Sequence, residues 1–479
     1  MEEEKIGKRE VVRSLGWKIS ERFLSQGIGL VVQILLARIL FPEDFGSMAI
    51  MVAIINYLGI FVQSGLSTTV VQKKNLDDKD IASLYSISLL IALFLYVFLF
   101  MAAPWIGRTY AMDDIVWPIR VLSIGLFLSA INSIQTGILS RHMKFRAIFY
   151  RSIASIIVGG TVAVIMALSG YGIWALVTYS LLNALIAVIA MSFVPELKMR
   201  LGICWEKVKQ LYSFSIKIIV TNLISGGGDT IRTMVIGKKY TSSQLAYYDK
   251  AYTYSNTATQ VVTSSISGVL LPTFSKQQDD LAKLRDMVRR SMKLTAFVSF
   301  PVLIGLLVIA KPLVLLLLTG KWAPCIPFLM VFCLLRICGP ITTIDKQVYY
   351  ALGRSEIGLY YEVGLLVANV TMLLITVPIG IGAIAVGATI VEYCGACVIF
   401  LISSKVYKYS FIDRLKDFFK PVINTIVMVL SMLPMTLIDL SNMMMIILQC
   451  IIGFFVYVLM AKIIKDDNLE YILNLIKQH

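Results

Sequence analysis

The sequence predicts an all-α protein that crosses a membrane about fourteen times, and three observations predict it. Of 479 residues, 58% are hydrophobic and only 15% charged, with a mean hydropathy of +0.80. Soluble domains carry roughly 25% charged residues. Apolar runs recur along the whole chain, among them Ile81–Ala103, Tyr171–Val194 and Met443–Met460. They are continuous over the roughly 20 residues that a helix needs to cross hydrocarbon, and they lack the alternation of a barrel strand.

Taken in order, the chain opens on a charged segment, Met1–Glu10, and its first apolar stretch already contains Lys18, Glu21 and Arg22. No cleavable signal peptide is expected. The spans fall at about 15–40, 46–64, 81–104, 116–136, 149–168, 171–194, 209–236, 246–271, 290–310, 324–344, 357–378, 380–403, 419–438 and 442–462. With the N-terminus in the cytoplasm, most of the 44 Lys and Arg fall on the cytoplasmic side, in the basic loops Arg141–Arg151, Lys198–Lys209, Lys276–Lys293 and Lys405–Lys420. An even span count brings the C-terminus back to the cytoplasm. The net charge of +15 then reads as a topology signal beside anionic membrane lipid, with no nucleic acid partner. The six tryptophans fall near span ends, as an interfacial belt requires.

Seven cysteines, most within apolar segments, suggest no disulfide framework, and Cys394-Gly-Ala-Cys397 reads as close helix packing. Two histidines leave metal clusters and His-based catalysis almost nothing to work with, so neither an enzyme nor a bound metal is expected.

The chain also repeats itself. Lys18-Ile19, Leu24 and Gly27 recur as Lys217-Ile218, Leu223 and Gly226 at one offset. Gly170-Tyr171-Gly172-Ile173-Trp174-Ala175 returns as Gly380-Ile381-Gly382-Ala383-Ile384-Ala385. Two homologous halves of about six spans follow, residues 1–205 and 206–404, with a basic linker, an appended helix pair and a cytoplasmic tail in 405–479. Halves with an even span number insert in parallel, an arrangement suited to alternating access about a midplane site.

The first helix of each half carries a polar stripe. Lys18, Arg22, Gln26 and Gln33 share one face, and Lys217, Thr221, Ser225 and Arg232 repeat the spacing, with Asp229 extending it. A charge meeting lipid costs about 3 kcal/mol or more, so these faces should line protein or a wet cavity. The plainer alternative for Lys18, Arg22 and Arg232 is snorkelling to an interface. Gly226-Gly227-Gly228 interrupts the seventh span and reads as a hinge, an unwound segment or a site of close packing. Lys250 opens the eighth span beside Asp249. Asp229, Glu362 and Glu392 are candidates for coupling Na⁺ or H⁺; Glu362 or Glu392 could instead be the internal partner of Arg336. More cations than anions along the stripes favour an anionic cargo, since lysine and arginine suit phosphate or pyrophosphate. Gln26, Gln33, Thr221 and Ser225 could bond sugar hydroxyls. No cofactor is called for.

Three stretches carry a resemblance: Leu36-Ala37-Arg38-Ile39-Leu40-Phe41-Pro42-Glu43-Asp44-Phe45-Gly46, Ser243–Ala251 with its paired tyrosines, and Leu270-Leu271-Pro272-Thr273-Phe274-Ser275-Lys276-Gln277. Over nearly its full length the chain resembles the bacterial polysaccharide exporters of the MOP superfamily, the Wzx-type flippases. The resemblance implies a two-bundle, MATE-like transporter of the bacterial inner membrane. Its cargo would be undecaprenyl-pyrophosphate-linked oligosaccharide, moved from the cytoplasmic to the outer leaflet, with polymerase and glycosyltransferases as partners. Carried over by position, Lys18, Arg22, Lys217 and Lys250 would meet the pyrophosphate. The second junction departs from the family in Ala246, where glycine is usual, and in Lys250, where arginine is common and would offer a fork instead of a point charge.

Two other readings compete. A multidrug extruder of the same superfamily conflicts with the cationic stripes. A membrane polymerase or ligase would need a large external loop with catalytic residues, and the longest external connection, near Pro104–Asp114, is short.

Overall fold

The computed structural model describes residues 8–63, 70, 77–192, 194 and 201–471. Inside helices, the side chains of 8–15, 19, 207, 210–215, 217, 261, 262, 264–269, 271 and 272 lie outside the described set. The described residues form helices and no strand. In order these are α1 (Lys8–Ile39), α2 (Pro42–Gln63), α3 (Asp78–Tyr110), α4 (Val116–Leu122), α5 (Gly125–Arg141), α6 (Phe145–Leu168), α7 (Ile173–Ser192), α8 (Trp205–Lys239) and α9 (Ser242–Ser275). There follow α10 (Leu281–Val308), α11 (Ala310–Leu318), α12 (Cys325–Leu335), α13 (Cys338–Ala351), α14 (Ser355–Thr376), α15 (Ile381–Val406), α16 (Phe411–Met432) and α17 (Asn442–Ile463).

Among the described residues, 12 helical stretches are long and apolar enough to cross a membrane, and each matches an expected span. The expected seventh and eighth spans are α8 and α9, with 35 and 34 residues. Their length suffices, but they carry the polar residues that single them out in sequence, and these lower their apolar content. Apolar side chains such as Phe94, Met101, Phe454 and Leu437 project outward, as a lipid-facing surface requires. Trp105, Trp117 and Trp205 are exposed in keeping with an interfacial belt. Trp322 is not: it is fully buried, with its ring 5.9 Å from that of Tyr247.

The chain divides into two compact units, Met1–Ala246 and Tyr247–His479. In the first, the Leu36–Gly46 stretch is a helix corner. Leu36, Ala37, Leu40, Pro42, Phe45 and Gly46 are buried, Pro42 starts α2 where no backbone donor is needed, and Asp44 accepts from the Phe41 N–H at 3.2 Å. The corner between α8 and α9 packs on it. A Cβ on Gly46 would overlap the Ser242 carbonyl, and the Ser243 hydroxyl donates to Glu43 at 2.5 Å. Ser47 and Ser242 both reach Met112 Sδ, each at 3.7 Å. Two of the three stretches that carry the resemblance are therefore in contact. α8 also packs along α2 and α3, and Gly237 accommodates Ile50 of α2. The glycine motif turns the chain between α6 and α7: Gly170 and Gly172 have φ of +82° and +51°, and its repeat Gly380, between α14 and α15, has +151°.

In the second unit, helices pack around Arg414 and Asp345, both with fully buried side chains. The guanidinium donates two parallel bonds to the carboxylate, each 2.9 Å long. Ser403 donates to the same carboxylate at 2.6 Å, and Tyr407 donates to it as well. Arg414 also stacks between Phe400 and Tyr409, at 4.6 and 4.5 Å from the ring centres. One helical turn on, Asp417 accepts from Arg289 at 2.5 and 2.8 Å and from Tyr409 at 2.7 Å, with Lys293 at 3.1 Å. The network joins α10, α13, α15 and α16.

Lys405–Lys420 is accordingly no linker. α15 ends at Val406 and α16 begins at Phe411, so the connection is short and two of its expected loop charges are core residues. The basic loop Lys276–Lys293 likewise gives Arg289 and Lys293 to the network. Desolvation explains why the charges sit together, since each is tolerable inside only beside its partner.

Gly46→Ala should lower stability by about 1–3 kcal/mol, because the overlap is with backbone and one corner must move. Gly27→Ala, where a Cβ meets nothing within 4 Å, is the control. Melting curves of the two purified variants in detergent separate the cases. Arg414→Ala should be costlier, about 3–5 kcal/mol, because Asp345 is left buried and unpaired, whereas Arg414→Met with Asp345→Leu should regain much of the loss. Equal melting of the single and double variants would contradict this picture.

Candidate functional site: polar stripes and buried charges

The α1 stripe is accessible. Lys18, Arg22 and Gln26 are exposed and Gln33 is half-buried, while Val32, Leu36 and Ala37 form the packed side, with Gly160 of α6 against Val32. Lys18 lies level with the start of α6, its ammonium 5.2 Å from the centre of the Phe145 ring, in a cluster where Trp17 meets Phe149 at 5.1 Å and Arg146 at 5.8 Å. That setting suits an interfacial lysine. Arg22 lies one turn deeper along the same face.

On α8, Thr221 and Ser225 are exposed, and the Ser225 hydroxyl donates to the Thr221 carbonyl at 2.8 Å. Asp229 and Arg232, given separate roles by sequence, form an ion pair at 2.6 Å, with side chains 57% and 12% exposed. Within this pair each offsets the other's charge. The Lys217 side chain lies outside the described residues. The helix runs unbroken through Gly226-Gly227-Gly228, so the triplet is not unwound here. A Cβ on Gly226 would lie 3.7 Å from Ile60, which fits packing of α8 on α2.

Lys250, in the second unit, is 7% exposed, close to Asp249 and Cys325. On the same helix Tyr248 and Tyr252 meet Phe332, at 4.9 and 5.4 Å between ring centres. Arg336 lies 4.3 Å from the centre of the Tyr252 ring. Glu362 pairs with Lys346 at 2.9 Å, so the partner expected in Arg336 is a lysine of α13 instead. Glu392 is half-buried, near Cys338 and Tyr361. Cys394 and Cys397 are exposed and free, while Gly395 and Ala396 between them are buried, Gly395 against Leu365 and Tyr361. No group of His, Cys, Asp and Glu among the described residues could hold a metal ion.

Sequence reading missed Arg151. Placed in a basic loop, it is 8% exposed and donates to Asn132 at 2.6 Å and Thr136 at 3.1 Å. Asn132 and Thr136 lie four residues apart on α5, and Gln135, buried beside them in sequence, adds another polar group. That spacing was the available signal. It missed Asp345, Arg414 and Asp417 too; Asp345 directly after the apolar span 324–344 and the Arg414/Asp417 pair at i, i+3 were their only marks.

The sequence profile of the family described as "Polysaccharide biosynthesis protein" matches residues 35–327. The chain is 26% identical over 351 residues to the succinoglycan biosynthesis transport protein ExoT of Rhizobium meliloti (strain 1021), covering 73% of this chain and 71% of that one. Among solved structures, it resembles lipid II flippase MurJ in an inward closed conformation, with a TM-score of 0.79 at 16% identity, over 94% of this chain and 99% of that one. It also resembles an inward-facing multidrug resistance MATE family transporter of the MOP superfamily, with a TM-score of 0.64 at 15% identity over 80% and 94%. The helical fold is that of these two structures, and with the profile covering well over half its length the chain belongs to the polysaccharide biosynthesis protein family.

Proposed function

We propose that the protein flips undecaprenyl-pyrophosphate-linked oligosaccharide repeat units from the cytoplasmic to the outer leaflet of a bacterial inner membrane. The observation that carries the proposal is membership of a polysaccharide biosynthesis family by a chain with a transporter's helical fold. A relative named as a transport protein for one such polysaccharide, and a fold neighbour named as a lipid II flippase, support the same reading. The chemistry agrees. Moving a pyrophosphate through hydrocarbon needs cations on an accessible face, and the α1 stripe offers Arg22 with Lys18 nearer the interface. Lys217, Thr221 and Ser225 extend the recognition surface on α8, whereas Lys250 is buried in the second unit and offers no accessible charge in this structure. Gln26 and Gln33 suit sugar hydroxyls. In this reading transport proceeds by alternating access.

Both termini lie in the cytoplasm in this reading, where the basic loops favour them. Driving force comes from Na⁺ or H⁺ at a membrane carboxylate. The candidates are Asp229, which pairs with Arg232, Glu362, which pairs with Lys346, and Glu392. The multidrug alternative draws support from the MATE likeness, but that likeness is one of fold.

Arg22→Ala and Lys217→Ala should each abolish polymer export while leaving the protein inserted and folded. Export scored as surface polysaccharide, beside membrane levels of each variant, checks this. Normal export by both would sink the site assignment. Asp229→Asn, Glu362→Gln and Glu392→Gln test the three candidates: one of them should weaken the dependence of transport in proteoliposomes on a Na⁺ or H⁺ gradient, and an unchanged dependence in all three would move the coupling site elsewhere.

A further inference from the structure

Arg336 is a charge that the binding stripes leave unused. It stands where the tenth expected span breaks, after α12 ends at Leu335 and before α13 starts at Cys338, with φ −77° and ψ −7°. Pro340 accounts for the break: it has no N–H for the Arg336 carbonyl one turn back, and its ring crowds that oxygen. The stretch Cys325–Ala351 is long and apolar enough to cross a membrane. At 1.5 Å per residue Arg336 lies about 17 Å from its start and within about 3 Å of its midpoint. A break does not itself call for an arginine. The fourth expected span also breaks, between Leu122 and Gly125, and carries Ser123 there, whose hydroxyl donates to the Arg120 carbonyl at 2.9 Å.

Among the described residues Arg336 forms no ion pair, and its buried Nε has no hydrogen-bond partner. Carboxylates of the same unit are held by other cations: Asp345 by Arg414, Asp417 by Arg289 and Lys293, and Glu362 by Lys346. Glu392 stands near Cys338 and Tyr361. The Arg336 guanidinium rests on the Tyr252 ring, 4.3 Å from its centre, and Phe332, one turn before Arg336, meets that ring at 5.4 Å. An aromatic face lessens the cost of a charge in hydrocarbon but brings no negative charge to balance it. Arg336 is half-buried, so part of its side chain stays accessible.

We propose that Arg336 is the midplane ligand of the cargo's pyrophosphate, the group that holds it halfway between the leaflets. This rests on the flippase reading. Depth selects the occupant. The phosphate of a resident phospholipid stays in the headgroup layer, about 15 Å from the midplane, too far for one side chain to span. A phosphate that meets Arg336 is therefore one in transit. The guanidinium fork suits two oxygens of one phosphate. Arg22 lies only six residues into the stretch Gly16–Ile39, at the end that is cytoplasmic in the topology proposed above, so the two arginines serve different depths.

The test uses the full protein in nanodiscs, with phenylglyoxal labelling read at Arg336 by peptide mass spectrometry. Labelling should fall about tenfold when undecaprenyl pyrophosphate is present at about ten times its Kd, and uncharged undecaprenol should leave it unchanged. In proteoliposomes Arg336→Gln should slow leaflet transfer of lipid-linked saccharide at least about tenfold, while Arg336→Lys, which keeps the charge without the fork, should fall in between. Melting curves confirm that the variants fold, and the labelling experiment needs no variant. An Arg336 that phenylglyoxal does not reach, or that undecaprenol protects equally, overturns the assignment, as does wild-type transfer by folded Arg336→Gln. Protection by added phosphatidylglycerol alone, or by chloride alone, overturns it in favour of a headgroup phosphate or a small anion. Melting lowered as much by Glu392→Gln as by Arg336→Gln would make Glu392 the structural counter-charge and overturn it too. Protection by the pyrophosphate in a protein that transfers no lipid-linked saccharide keeps the ligand and sinks the flippase reading. Transfer by the wild type with Arg336 unprotected does the reverse.

Discussion

Arg414 sits fully buried in a protein made for hydrocarbon, and the second unit is arranged around neutralising it. An unpaired guanidinium in that setting is costly enough to unfold a small domain. Here a bidentate carboxylate, a tyrosine hydroxyl and two aromatic faces share the charge. Asp417, on the same helix, collects Arg289 and Lys293 from α10. Because the network joins four helices, the penalty for a lone charge becomes a condition on how those helices pack. The appended pair α16 and α17 is bound to the unit by the same condition, for α16 carries both Arg414 and Asp417 and packs on α17.

In the first unit the constraint is steric. The α1–α2 corner and the α8–α9 corner occupy each other's space to within a side chain, with glycine at Gly46 where backbone meets backbone. Gly172, in the turn between α6 and α7, brings Asp44 of that corner within 3.3 Å of where its own Cβ would be. Charges on α1 and α8 remain exposed on the other faces of helices fixed in this way. Packed corners beside accessible polar stripes fix the geometry of those stripes within the unit.

Much of the fold was legible because lipid imposes a simple rule on sequence: about 20 apolar residues per crossing. Spans such as Ile81–Ala103 and Met443–Met460 fell inside helices of the structure. The α8 and α9 helices were recognisable through repeat position and length, not apolarity. Charges were harder. Lys18 beside Phe145 and Arg22 on the exposed face of α1 agree with either snorkelling or cavity placement, because both leave a side chain accessible. Arg151, Arg289 and Arg414 were read as loop residues, since each lies near a span end where topology signals also collect. Only three-dimensional partners distinguish a buried arginine from a positive-inside one. Pairing misled as well: Glu362 meets Lys346, sixteen residues away across a helix turn, which no local spacing announces.

The likeness of fold to both a lipid flippase and a multidrug transporter leaves cargo to be decided by other means, and the proposed cargo rests on the accessible cations of α1 and on membership of a polysaccharide biosynthesis family. The most direct test deletes the gene and scores lipid-linked repeat units by leaflet. A flippase predicts units accumulated on the cytoplasmic face with outer polymer lost. Single units that still reach the outer leaflet but fail to polymerise would contradict it and assign the protein to the polymerisation step.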